Sequence, residues 1–313
     1  MRVCFVTHRG APGITSDDRL AAEACVARGM EVSACAWDDP GVTWGAFDRV
    51  VLRSTWNYHL APEAFDAWLQ DVAEEDLSVL NPVPVVRWNA RKDYLLELAA
   101  GGVSVVPTRI LAPGEDPTPE RWTAEFGTPE VVVKPAVGAS AHGVVRIRLD
   151  APGTAERLRT AAAGGPVLIQ PFRGEVRDRG EWSAIFLDGE YSHAVLKRPA
   201  EGDFRVQEEL GGHSVPGEAP EAIRELGRAA LARAPGRTLY ARVDAVAGHD
   251  GAQLMELELI EPALYFGTDA GAPARFATGL EDAGGTRGRR MPTRRGESRS
   301  QGPVTPPGAP PPD

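Results

Sequence analysis

Apolar residues in the first hundred positions follow two alternating rhythms. Short continuous runs such as Val3-Cys4-Phe5-Val6 and Val50-Val51-Leu52 suit strands buried on both faces, and helically spaced stretches separate them. The spacing predicts a first strand at the N-terminus, then a helix over 16–27 capped by Ser16 and stopped at Gly29. Strands over 31–37 and 47–52 follow, then a helix opened by Pro62 and ending near residue 74, and a strand ending at Leu80. Strands and helices in alternation make a small α/β unit of βαβ type over residues 1–85.

A helix is expected from Asn89, carrying Lys92 and Leu95-Leu96 and stopping at Gly101-Gly102. Residues 103–111 read as a strand, 119–126 as a helix, and 130–134 as a strand entering the loop 135–143. A strand over 144–149, a helix over 154–163 and a strand over 167–170 complete an α+β module. Strands over 182–187 and 191–197 flank Asp188-Gly189, a strong hairpin signal. A helix over 221–234 precedes a second hairpin, 239–247 and 253–260, turning at His249-Asp250-Gly251. No internal repeat is visible. From residue 281 to 313 the periodicity stops: seven prolines and six glycines accompany one valine, one methionine and no aromatic residue. Such a tail buries too little apolar surface to offset the entropy of ordering, so it is expected to be disordered.

Composition narrows the function classes. The 313 residues carry 34 Lys+Arg against 44 Asp+Glu, a net charge of −10, so a nucleic acid is not the expected partner. Three cysteines without C-x-x-C build no disulfide framework, and Cys4, Cys25 and Cys35 read as buried packing. The first strand turns polar after four or five apolar residues, unlike a signal peptide, and no run reaches the 18 apolar residues of a membrane helix. The expected location is the cytoplasm. The length allows two or three modest domains and a core large enough for an enzyme.

Side-chain alternation in the second hairpin puts Glu256 and Glu258 on one face and Met255, Leu257 and Leu259 on the other, while Arg242 and Asp244 share a face of the partner strand. A register pairing 244 with 256 gathers three carboxylates and one guanidinium. Such a group suits Mg²⁺, and it equally suits an amphipathic hairpin with a solvated acidic face. The small residues from Gly138 through Ser140 to Gly143 let a backbone approach an anion closely. Val144-Val145 stand where a P-loop needs Lys-Ser/Thr, Ser140 lacks the context of a nucleophile elbow, and no G-x-G-x-x-G follows the first strand. Lys134, among valines, needs an anionic partner if buried.

Several ordered motifs resemble the ATP-grasp ligases, the superfamily of bacterial glutathione synthetase and D-alanine-D-alanine ligase. They are Lys92; Val-Val-Lys134-Pro; the small loop; Gln170-Pro171-Phe172; the segment Lys197-Arg-Pro-Ala-Glu-Gly-Asp-Phe-Arg205-Val-Gln closed by Gly211-Gly212; Arg242-Val-Asp244; and Glu256-Leu-Glu258. The resemblance covers roughly residues 85–280, with the first 85 similar to the α/β domain that precedes it in those enzymes. It implies an ATP-grasp fold of mixed α/β and α+β class: an N-terminal α/β domain (1–85), a lid subdomain (about 105–170) inside an ATP-grasp domain (86–280), and a C-terminal catalytic part.

The resemblance also implies roles. Lys92 and Lys134 hold ATP phosphates under the closing loop of Gly138, Ser140 and Gly143, and Gln170-Pro171-Phe172 is the adenine hinge. Glu175 and Glu181 hold ribose or order the neighbouring strand, and Lys197 stands in the nucleotide site. Arg205 and Arg242 stabilise charge on the transferring phosphoryl, and Asp244, Glu256 and Glu258 bind magnesium, Glu258 standing where the family has Asn. Gly211 and Gly212 fall on the substrate side.

The run Arg53-Ser-Thr55-Trp-Asn-Tyr58-His, with the later motifs, looks most like the subgroup that includes the O-ureido-serine cyclo-ligase of D-cycloserine biosynthesis. At a strand's carboxyl end, Arg53 and Thr55 could fix a substrate carboxylate, with Asp17 and Tyr58 nearby; alternatively Trp56 and Tyr58 wedge the domains together. The expected activity is ATP- and Mg²⁺-dependent ligation or cyclisation of a small amino acid derivative. A peptide ligase and a silent nucleotide-binding module are the alternatives. A homodimer is the superfamily's common state.

Overall fold

Val3 and Phe5 face one side of the first strand, Cys4 and Val6 the other, and all four are fully buried. That two-sided burial is what a parallel sheet between helix layers requires. In the computed structural model, which describes residues 1–75, 77–139, 142–200, 205–206, 211–248 and 251–283, β1 (Arg2–Thr7), β2 (Glu31–Ala36), β3 (Arg49–Leu52) and β4 (Val79–Leu80) form a parallel sheet ordered β2-β1-β3-β4. The expectations placed on Ser140, on 201–204 and 207–210, on the turn residues His249 and Asp250, and on the tail beyond 283 lie outside the described residues.

Helix α1 (Ser16–Ala27) covers one face. Its cap is Thr15 and not Ser16: the Thr15 hydroxyl accepts the Asp18 N–H at 3.0 Å. Helix α2 (Pro62–Glu74) covers the other face with Phe65, Trp68 and Leu69. The α1 face is completed by α9 (Ala272–Asp282), which the sequence did not announce; its Phe276 and Leu280 pack with Phe5, Ala21 and Cys25. Burying a side chain of Phe or Leu size contributes about 1.5–3 kcal/mol, so the last helix is part of the first domain's core.

Two sequence expectations change in the connecting stretch. Instead of one helix from Asn89, α3 (Val83–Asn89) ends there and α4 (Tyr94–Ala100) begins later. Lys92 therefore sits in the intervening turn, where its backbone N–H donates to Ala136 O at 2.8 Å. The strand expected over 103–111 reduces to β5 (Arg109–Leu111) plus one bridge between Val105 and Leu254. Pro107, lacking an N–H, interrupts the ladder.

Over the stretch expected as the lid runs an antiparallel sheet β5-β8-β6-β7, built with β6 (Glu130–Pro135), β7 (Val145–Arg148) and β8 (Val167–Pro171). Trp122 of α5 (Pro119–Phe126) and Leu158 of α6 (Thr154–Ala162) pack on Val131, Val133 and Ile147. By alternation Val132, Lys134 and Gln170 face the opposite way, into a cleft.

After a short helix α7 (Glu175–Arg179), a five-stranded sheet runs β11-β10-β9-β12-β13, all antiparallel: β9 (Glu181–Leu187), β10 (Glu190–Arg198), β11 (His213–Gly217), β12 (Tyr240–Gly248) and β13 (Gly251–Glu258). Helix α8 (Glu221–Leu231) lies on its back, Ile223 and Ala230 against Phe186, Ala241 and Val243. A Cβ at Gly227 would come within 2.5 Å of the Phe186 ring, so this glycine sets the helix-to-sheet approach.

Asp244 pairs with Glu256 but Ala245 with Leu254, leaving Met255 as the extra residue of a β-bulge. Leu254, Leu257 and Leu259 enter the core while Met255 lines the cleft, which corrects the strict alternation expected for it. Among the described residues, no strand follows on the outer edge of β13. Beyond the single backbone bridge at Leu254, side chains serve that edge: Asn89 bonds Leu257 O and the Leu259 N–H, both at 2.8 Å, and the Tyr94 hydroxyl bonds both backbone groups of Leu257.

Candidate active site

Strand register lines up the charged residues of the five-stranded sheet. Lys197 of β10 stands opposite Glu181 of β9, Ser183 opposite Asp244, Asp244 opposite Glu256, and Arg242 opposite Glu258. The pairing of 244 with 256 is the register that gathers the acids. Lys197 Nζ lies 2.6 Å from Glu181 and 3.3 Å from Asp244. The Arg242 guanidinium donates to Asp244 at 3.0–3.2 Å and also to Glu258, and the Ser183 hydroxyl donates to Asp244. Taking such charges out of water is costly unless each is paired, and here each acid of the row has a cation beside it.

Two lysines from other elements complete the row. Lys92, in the turn before α4, donates to Glu256, and Lys134 of β6 stands 3.9 Å from the same carboxylate. Burial pushes Glu256 up, but Lys134 and Lys92 outweigh it and bring it down to about 2. Asp244 is held low in the same way by Arg242 and Lys197 against its burial. Burial, with Asp244 and Glu256 adding to it and Arg242 opposing, raises Glu258 to about 7. Burial lowers Lys134, which makes it the site's least well compensated lysine.

These residues line a cleft of about 330 Å³ between the four-stranded antiparallel sheet and the five-stranded sheet, a volume in the range of small-molecule sites. Lys92, Lys134, Gly138, Gln170, Pro171, Phe172, Glu181, Lys197, Arg205, Arg242, Asp244, Glu256, Glu258 and Tyr58 all line it. Its apolar lining comes from Val106, Val132, Phe172, Val176, Val206 and Met255. Gly143 adopts φ +72°, and a Cβ there would meet Pro135 at 2.9 Å, so this turn needs glycine. Gln170 turns its amide to Thr108 Oγ1 at 2.9 Å.

Other expected residues lie elsewhere. Glu175 pairs with Arg173 at 3.1 Å and does not line the cleft, and neither do Gly211 and Gly212 beside β11. Arg53 is 2% exposed and sits behind the wall, donating to Asp18 and to Pro262 O, both at 2.8 Å, and stacking on Tyr240. Thr55 is fully buried, and Asp17 accepts the Gly267 N–H at 3.2 Å.

The segment after β13 was not singled out by the sequence, yet Glu261, Ala263 and Tyr265 line the cleft. Side chains hold its backbone carbonyls one after another. Tyr240 Oη donates to Ile260 O at 2.8 Å, Trp56 Nε1 to Glu261 O at 3.3 Å, and Arg53 Nη2 to Pro262 O at 2.8 Å. Arg242 Nη1 reaches Ala263 O at 3.4 Å, His193 Nε2 bonds Leu264 O at 2.8 Å, and Thr268 bonds Tyr265 O through both its N–H and its hydroxyl. Tyr265 has φ +51°, a left-handed conformation unfavourable for an aromatic residue and sustained only where the surroundings fix it. Burial and the neighbouring Glu258 raise the Glu261 carboxyl to about 8. Glu261 is out of phase with 256 and 258, so alternation could not reveal it.

Among the described residues no three acids, histidines or cysteines converge into a ready-made metal cage. The donor set still fits Mg²⁺ with a nucleotide, because that ion uses one or two carboxylates and completes its shell with phosphate oxygens and water. No helix among the described residues is long and apolar enough to cross a membrane.

Fold and site together define an ATP-grasp ligase, and the chain belongs to that family. Residues 3–81 match the family described as D-cycloserine synthetase DcsG, N-terminal domain. The cycloserine biosynthesis protein DcsG of Streptomyces lavendulae is 34% identical over 273 residues, 83% of this chain and 91% of that protein. The crystal structure of D-cycloserine synthetase DcsG superposes with a TM-score of 0.81 at 31% identity, covering 90% of this chain and 99% of that one. D-alanine–D-alanine ligase from Bacillus anthracis complexed with ATP shares the fold, with a TM-score of 0.62 at 16% identity over 90% of this chain and 97% of that one.

Proposed function

We propose that this ligase uses ATP and Mg²⁺ to form a C–N bond in a small amino acid derivative through an acyl phosphate, with ring closure of a ureido-serine-like substrate as the particular case. The observation that carries the reading is the aligned row Lys197, Glu181, Asp244, Arg242, Glu258 and Glu256, faced by Lys92 and Lys134 across one cleft. Phosphoryl transfer asks little covalent chemistry of the protein; it asks for fixed positive charge where the transferring group becomes more negative.

In this reading Lys92 and Lys134 leave Glu256 for phosphate oxygens, which frees that carboxylate, with Asp244 or Glu258, for the metal. These acids would hold the magnesium, which would supply positive charge against the phosphates. Arg242, fixed by Asp244 and Glu258, points its charge at the phosphoryl position, and Arg205 adds a second guanidinium to the cleft lining. In this reading the turn carrying Gly138 and Gly143 would cover the site and keep water from an acyl phosphate. No protein nucleophile is needed. The likeness to DcsG over most of both chains supports a cycloserine-type substrate over a protein terminus. Hydroxylamine added during turnover tests the central step. Trapping of a hydroxamate is expected, and ADP release with no hydroxamate would remove the acyl phosphate.

A further inference from the structure

Among the described residues, four of the five carboxylates in the cleft have a lysine or arginine within ion-pair distance: Glu181, Asp244, Glu256 and Glu258. The fifth, Glu261, has none there. It is carried by the segment whose successive carbonyls are held from several elements, Trp56 and Arg53 from the N-terminal domain and His193 from β10. The carboxylate without a cation thus stands on a stretch of cleft backbone held by side chains from several elements. Fixing a polar group in advance raises selectivity because a ligand need not order it.

We propose that Glu261 is a specificity-determining residue that reads the α-ammonium group of the amino acid substrate, and that His193 and Arg53 are positioning residues that hold the backbone just after it, at Leu264 and Pro262. The proposal rests on the amino acid reading given above. In an α-amino acid the ammonium is one carbon from the carboxylate. If that carboxylate is activated beside Arg242 and Glu258, its ammonium must be read from the same wall. Glu261 follows Glu258 by three residues and lines that wall. The ammonium supplies the cation that Glu261 lacks: on its arrival the carboxyl, kept protonated by burial in the ligand-free cleft, gives its proton to water, and a charged donor then meets a charged acceptor, the stronger kind of hydrogen bond. His193 acts at one remove: Nε2 donates to Leu264 O while Nδ1 faces the Ser192 hydroxyl at 2.8 Å, and this fixes the residue before Tyr265.

The test is calorimetry on the full chain with Mg²⁺ and a non-hydrolysable ATP analogue, titrated with both enantiomers of serine and of O-ureido-serine and with their des-amino analogues. Glu261→Gln is expected to weaken amino acid binding on the order of 10- to 100-fold, to abolish preference over the des-amino analogue, and to leave nucleotide affinity within about twofold. His193→Leu should weaken amino acid binding, and His193→Gln, which restores an N–H donor, should recover it. Unchanged amino acid affinity in Glu261→Gln overturns the proposal. So does an effect seen only in the Mg²⁺ requirement, which would make Glu261 a metal ligand, and so does a native protein that binds no amino acid in the panel. If both His193 variants lower only the melting temperature, the positioning role falls. Native protein that binds amino acid through Glu261 but releases no ADP with authentic ATP would reject the reaction and leave this recognition standing.

Discussion

Lys134→Met separates the two things a buried lysine can do. Its side chain is 10% exposed, its ammonium lies 3.9 Å from Glu256, and its other polar contact is Met255 O at 3.5 Å. Those are long contacts, and the close pairing with Glu256 belongs to Lys92. Met keeps most of the volume and removes a charge whose burial is unfavourable, so the stability of the ligand-free protein should stay within about 1 kcal/mol of native. Nucleotide binding should suffer instead. A hydrogen bond to a charged group contributes about 1.5–3 kcal/mol, which corresponds to an affinity loss of about 10- to 150-fold. Urea denaturation gives the first quantity and calorimetry with a non-hydrolysable ATP analogue the second. Unchanged nucleotide affinity would remove Lys134 from the phosphate site. A stability loss above about 2 kcal/mol would show that the ligand-free fold depends on it.

Glu256→Gln should retain the native circular dichroism spectrum and lose at least about 100-fold in turnover, as removal of a key electrostatic group does; normal turnover would contradict the metal assignment. Asn81 is fully buried, donating to Tyr240 O at 2.9 Å and Leu259 O at 2.8 Å and accepting the Leu239 N–H at 2.7 Å. Asn81→Ala should therefore cost about 2–4 kcal/mol in urea denaturation, and a loss under about 1 kcal/mol would deny that this side chain joins the first domain to the catalytic hairpin. The Glu258 carboxyl, raised to about 7, holds its proton more tightly folded than unfolded, so its contribution is present below its ordinary value of 4.5 and lost as pH rises toward 7. The ligand-free melting temperature should accordingly fall less between about pH 5 and pH 8 in Glu258→Gln than in the native protein; identical slopes would contradict the shift.

Hydrophobic rhythm made the parallel sheet, both hairpins and most helices legible, and with them the register of Asp244 and Glu256. The misses have local causes. Pro107 cut a strand, and a bulge turned Met255 toward the cleft. Lys92 left its helix for a turn held by Ala136 O. Helix α9 packs on α1 from the other end of the chain, a contact no local pattern encodes. Arg53 looked like a ligand residue by its place at a strand's carboxyl end. Its partners, Asp18, Pro262 O and the Tyr240 ring, are distant in sequence and place it behind the wall. Glu261 and Tyr265 escaped notice because their positions depend on donors from four elements and on a left-handed residue, neither of which has a periodic signature.

The proposed reaction is amino-acid-dependent phosphoryl transfer in the cleft between the four-stranded antiparallel sheet and the five-stranded sheet. It is tested most directly by coupled ADP release over a panel of amino acids and ureido- or hydroxylamine-bearing serines, with mass spectrometry of the products. The account predicts Mg²⁺-dependent ADP release that requires one member of the panel and yields a product with a new C–N bond. ATP binding without turnover across the whole panel, or ADP release indifferent to the amino acid, would contradict it.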